Sequence, residues 1–102
     1  MVIKVMIVDE DNEIINGNVG QIPVNDMLEF IKKAEEHDTP CLQFIDLAGD
    51  TLFSEKQMLQ ILDELFDLKC DPSVNLDIIR IIERGIDEGL LENFDYLKFE
   101  GL

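Results

Sequence analysis

The run Val2-Ile3-Lys4-Val5-Met6-Ile7-Val8 constrains the fold most. At the two-residue period of a strand, Ile3, Val5 and Ile7 share one face, and Val2, Lys4, Met6 and Val8 share the other. One face is wholly apolar and the other mostly so. A strand of that kind suits the middle of a sheet or a well-covered position in it. Asp9 to Asn12 is turn chemistry. Glu13-Ile14-Ile15 then begins a short returning strand, which the Asn16-Gly17-Asn18 cluster breaks.

The period next changes to that of a helix. Val24, Met27, Leu28, Ile31 and Ala34 recur at i, i+3, i+4 and i+7, which predicts a helix from about Val24 to His37. Asn25 is the expected N-cap, with Asp26 and Glu29 in the first turn. Cys41 to Asp46 reads as a strand, Leu47 to Asp50 as a tight turn, and Thr51 to Phe53 as its returning partner in a hairpin. Ser54 and Gln57 have the spacing of a capping box, with Phe53 placed to staple onto Met58. In the helix that follows, Met58, Ile61, Leu62, Leu65 and Phe66 are expected inward, and Asp63, Glu64 and Asp67 outward. Asp71-Pro72 suggests a cap and first turn for a third helix. Val74, Ile78, Ile79, Ile82 and Ile86 would face inward, and Gly89 would end the helix. Phe94 to Phe99 is a last strand.

Strands and helices do not alternate strictly, so a parallel nucleotide-binding sheet is disfavoured. The expected class is α+β, with a small, mostly antiparallel sheet and three helices packed on it. At 102 residues the chain is expected to form one domain, 1–102.

Charge narrows the function. The 23 acids outweigh 8 Lys and Arg, for a formal net charge of −15, while 46% of the residues are apolar. The charge is not stored in a tail: 11 acids face 3 bases up to residue 51, and 12 face 5 after it. It therefore belongs to a folded surface. Nucleic acid and anionic membrane are disfavoured as partners, because both are bound through cations. A basic protein partner is favoured. The apolar runs are too short to span a membrane, and the N-terminal residues lack the pattern of a signal peptide, so a cytoplasmic location is expected. Cys41 and Cys70 share no motif and read as reduced thiols.

No catalytic or metal-binding pattern is complete in the sequence. His37 is the single histidine, so any triad would have to be built on it; it reads better as a cation at a helix C-terminus. Asp9-x-Asp11-x-Glu13 opens like a calcium loop, but Ile14 and Gly20 stand where Gly and Glu are required. The spacing of Gly17 and Gly20 is not that of a phosphate loop. Asp46, Asp50 and Glu55 lie close together in sequence, yet the chain has no Trp to line a sugar cleft. The expectation is a non-enzyme without cofactor or metal.

Ile45-Asp46-Leu47-Ala48-Gly49-Asp50-Thr51-Leu52-Phe53, then Gln57-Met58, and later Tyr96-Leu97-Lys98-Phe99-Glu100-Gly101, resemble a group of short bacterial proteins. That group carries I-D-x-x-G-D-T-x-F and a C-terminal Y-L-x-F-x-G. Its acidic members resemble immunity proteins of contact-dependent and polymorphic toxin systems. The chain departs from the motif at Ser54-Glu55-Lys56 and at Leu102. The resemblance implies a protein that binds and neutralises a cognate toxin domain. The charge adds that this domain is basic, as a nuclease must be. The partner-binding residues expected are Asp46, Asp50, Glu55, Asp63, Glu64 and Asp67. The alternative is an acidic protein-binding or regulatory module unrelated to toxins.

Overall fold

The structure is a computed structural model that describes residues 1–91 and 96–102. Its elements run β1 (Val2–Val8), β2 (Ile14–Pro23), α1 (Val24–Glu36), β3 (Asp50–Ser54), α2 (Glu55–Lys69), α3 (Leu76–Leu91) and β4 (Tyr96–Glu100). The four strands form one antiparallel sheet in the order β2-β1-β4-β3. The expected α+β class, with three helices on an antiparallel sheet, is what the chain adopts.

β1 is central, as its two apolar faces require. Ile3, Val5 and Ile7 enter the main core with Leu97 and Phe99 of β4 and the buried faces of all three helices. Met6 and Val8, on the opposite face, are buried too. There Lys98 of β4 lies opposite Met6 and is only 6% exposed. Its ammonium donates to Asn12 at 3.0 Å and sits 3.5 Å from the Asp50 carboxylate. Phe53 and Phe99 meet edge to face, with centroids 5.9 Å apart, across the β3–β4 pair.

Five local expectations are corrected. β2 runs through Asn16-Gly17-Asn18 instead of breaking there. Register shifts between Val5 and Val8 absorb the extra residues as bulges, which is how turn-forming residues are carried inside a strand. Pro23, not Asn25, takes the N-cap position of α1. Residues 41–46 form no strand; Leu42–Phe44 make a single 3₁₀ turn, and β3 pairs with β4. The third helix begins at Leu76, where Asn75 Oδ1 accepts the Asp77 N–H at 2.9 Å, and not at Pro72. Gly89 lies within α3, beside Ile7 and Met58 of the core, and does not end it. In the last strand, Phe94 lies outside the described residues.

The capping box is present: Ser54 N–H donates to Gln57 Oε1 at 2.9 Å, and Gln57 N–H to Ser54 Oγ at 3.4 Å. It joins β3 to α2 without a linker.

The two motif segments are one structural unit. Asp50 pairs with Glu100, and Leu102 N–H donates to the Leu47 carbonyl at 2.9 Å. Gly101 therefore lies against the turn at Leu47–Gly49. A Cβ there would overlap the Gly49 carbonyl oxygen and lie 2.8 Å from the Leu47 oxygen. Gly101→Ala is expected to cost about 1–3 kcal/mol, the usual range for overpacking. A denaturant midpoint unchanged from the parent would contradict this.

Candidate functional site

The expected binding residues separate into two groups. Asp46, Asp50 and Glu55 surround the β3 turn and the start of α2. Asp46 Oδ1 accepts the Ala48 N–H at 2.9 Å, and its own N–H donates to Thr51 Oγ1 at 2.9 Å, so it shapes the turn. Asp50 faces Lys98. Glu55 is exposed in the first turn of α2. Asp63, Glu64 and Asp67 lie further along α2. Twelve residues separate Glu55 from Asp67, a rise of roughly 18 Å. The six residues do not form one patch.

The second group meets the end of α1. That helix closes in a Schellman motif: Asp38 adopts a positive φ of 55°, its N–H donates to Glu35, and the Thr39 N–H donates back to Ala34. The turn swings residues 37–40 across the flank of α2. His37 Nε2 then lies 2.9 Å from Asp71 Oδ2, and Nδ1 lies 3.2 Å from Asp67 Oδ2. Between the 37–40 turn and α2 is an open recess of about 190 Å³, lined by His37, Asp38, Thr39, Asp63, Glu64 and Asp67 among others. A larger recess of about 280 Å³ lies nearby, lined by Lys69, Asp71 and Asp77 among others, with Lys69 paired to Glu83 at 2.6 Å.

Glu64 corrects an expectation. It is 4% exposed, not on the outer face of α2. Its Oε1 accepts two backbone N–H groups, from Cys41 at 3.1 Å and Leu42 at 2.9 Å. These are donors that a strand at 41–46 could have used for pairing, so the same contact explains the 3₁₀ turn found there. Among the described residues Oε2 has no hydrogen-bond partner. Phe66 is the converse case: expected in the core, it is 74% exposed, with Leu59 also exposed on the same side of α2. Leu68 could have shown this. Met58, Ile61, Leu65 and Leu68 are spaced i, i+3, i+7, i+10, and including Leu68 rotates the buried stripe toward position 64 and away from 66.

Titration follows from these contacts. The hydrogen bond to Asp71 raises the His37 pKa above 6.5, against some opposing desolvation, and Asp67 adds to the rise. The same bond, with two more from Ser73, holds the Asp71 carboxyl well below its ordinary range. Burial pushes the Cys41 thiol up to about 11, and the Glu64 carboxylate beside it acts in the same sense. Cys41 is thus a protonated, inert thiol at neutral pH. Cys70 is free and exposed. Both ring nitrogens of His37 lie against carboxylates, so the ring bridges the C-terminal ends of α1 and α2 and its protonated form is favoured. Among the described residues no three His, Cys, Asp or Glu side chains form a group able to hold a metal ion. Among them also, no helix is long and apolar enough to cross a membrane.

No family model, curated protein or solved structure matches the chain.

A histidine pKa raised by folding stabilises the fold below the unfolded value of 6.5, and that contribution is lost as pH rises through the folded value. NMR titration of the His37 ring is expected to give a pKa above 6.5, lowered by Asp71→Asn. The stability difference between the parent and His37→Gln should be largest below pH 6.5 and shrink at alkaline pH. A ring pKa at or below 6.5 contradicts the clamp.

Proposed function

We propose that this protein is an immunity protein that binds and neutralises a basic toxin domain, of nuclease type, in a contact-dependent or polymorphic toxin system. The observation that carries the reading is the exposed side of α2. Phe66 and Leu59 lie exposed beside Asp63 and Asp67, on a surface with a net charge of −15. An aromatic side chain left in solvent next to acids is the composition of a protein-binding hot spot for a basic partner. A nuclease is basic where it holds nucleic acid, so an acidic inhibitor competes for the same field. Charge-steered association at low salt reaches roughly 10⁸–10⁹ M⁻¹s⁻¹, and a toxin must be met before it acts. The resemblance of the motif segments to those of immunity proteins supports the same reading.

This assigns α2, more than the β3 turn, to the partner. Asp46 and Asp50 are held by contacts within the fold, whereas Asp63 and Phe66 project from it.

The test is co-expression with the toxin domain encoded beside this protein. A stable complex is expected at low salt, with association slowed as salt rises, and with protection of cells that carry the toxin. Phe66→Ala should weaken the complex about tenfold or more, since a hot-spot truncation exceeds about 1.4 kcal/mol. Absence of both a complex and protection would overturn the proposal.

A further inference from the structure

We infer that the seam between α2 and α3 seats an amphipathic helix of the partner, its apolar stripe laid on Leu59, Leu62 and Phe66 and its basic residues along both margins. The inference rests on the basic-partner reading and adds which kind of element the partner presents.

The spacing of α2 is the starting point. Its buried stripe uses Met58, Ile61, Leu65 and Leu68. Leu59, Leu62 and Phe66 form a second stripe on the same helix, at i, i+3 and i+7. Leu59 and Phe66 are exposed, and Leu62 is partly buried against the core. Seven residues of helix rise roughly 10 Å, so the three side chains make a straight apolar ridge two turns long. Ridges of this kind pack into the grooves of another helix.

The other wall of the seam is α3. Lys69 of α2 pairs with Glu83 at 2.6 Å, and Gly89 lies beside Met58, so the two helices run antiparallel. Glu83, Asp87 and Leu90 recur at i, i+4 and i+7, on the side of α3 that meets α2. Leu90 is partly buried against the core, and Asp87 is exposed. Asp87 therefore stands across the seam from the middle of the ridge. Asp63, also exposed, stands on the ridge's far side. The apolar ridge thus has an acid on each margin, and the lysine at its C-terminal end is already paired with Glu83.

Charge and spacing select the occupant. A second copy would set another net charge of −15 against the first, and an anionic membrane would be repelled in the same way. An extended segment sets the side chains of one face about 7 Å apart, against about 5 Å along the ridge. A helix matches the ridge turn for turn, and recognition of this type reads apolar anchors at i, i+3 or i+4, and i+7. Lysine or arginine on both margins of that helix would meet Asp63 on one side and Asp87 on the other.

The test is a titration of the ¹⁵N-labelled protein at low salt with two peptides of about 18 residues, five helical turns. One carries leucine along one face of a helix, lysine on both margins and alanine elsewhere. The other is a permutation of the same residues without an apolar face. The amphipathic peptide is expected to give saturable shifts at the amides of 59–66 and 83–90, and to bind about tenfold more tightly than the permutation. Phe66→Ala should weaken it about tenfold. Asp63→Asn and Asp87→Asn should each weaken it several-fold, while Asp26→Asn, the same charge change on α1, leaves it unchanged. Equal binding of the two peptides, equal losses in Asp87→Asn and Asp26→Asn, or shifts outside α2 and α3 would overturn the inference. So would a homodimer lost in Phe66→Ala, because the seam would then belong to a second copy. The two readings fail separately. A toxin complex weakened by Phe66→Ala but not by Asp87→Asn removes the helix seat alone; selective binding of the amphipathic peptide without a toxin complex removes the toxin alone.

Discussion

β4 is hydrogen-bonded along both edges, to β1 on one side and β3 on the other. The last strand in the chain thus stands in the middle of the sheet, and β2, the three helices and β3 all come between it and β1 in sequence. Without β4, β3 has no partner, and α2, which grows out of β3 through the Ser54–Gln57 capping box, has no fixed direction. Leu97 and Phe99 carry the apolar load of that strand on the helix-covered face. Lys98 lies on the other, held by Asn12 and Asp50. A strand with long-range partners on both sides closes late, because loop closure must precede the contacts that repay it.

That geometry decides where the acids lie. The helices turn their apolar stripes to one face of the sheet, so most of the 23 carboxylates are left outside, where they repel one another. Several are offset locally: Asp50 by Lys98, Glu83 by Lys69, Glu36 by Lys33, and Asp71 by His37. Glu64 is different in kind. It is inside, it organises the backbone at Cys41 and Leu42, and one oxygen is left over. Phe66 and Leu59 stand exposed on the other side of α2 from it, beside Asp63.

The fold class was legible in the sequence because periodicity reports burial directly. The double-faced apolar run at 2–8 required a central strand. The capping box marked the start of α2 to the residue. The stripe of Val74, Ile78, Ile79, Ile82 and Ile86 marked the buried face of α3. Errors arose where a distant residue overrode local preference. Cys41 to Asp46 has strand composition, but its first two N–H groups are taken by Glu64, 23 and 22 residues away. Asn16-Gly17-Asn18 has turn composition, but pairing with β1 carries it as a bulge. The candidate site was half legible: Asp63 and Asp67 were placed outward correctly. The roles of Glu64 and Phe66 were exchanged, because the stripe was drawn without Leu68. Nothing local to residue 37 announces Asp71, 34 positions on, so the histidine clamp had no sequence signal.

We propose that the partner meets the exposed side of α2, over Leu59, Asp63 and Phe66, and not the free edges of the sheet. Amide hydrogen exchange, with and without the bound toxin domain, tests it most directly. New protection is expected along the exposed side of α2 from Leu59 to Asp67, with β2 unchanged. Protection confined to β2 or to the Asp46–Asp50 turn, with α2 exchanging as in the free protein, would contradict it.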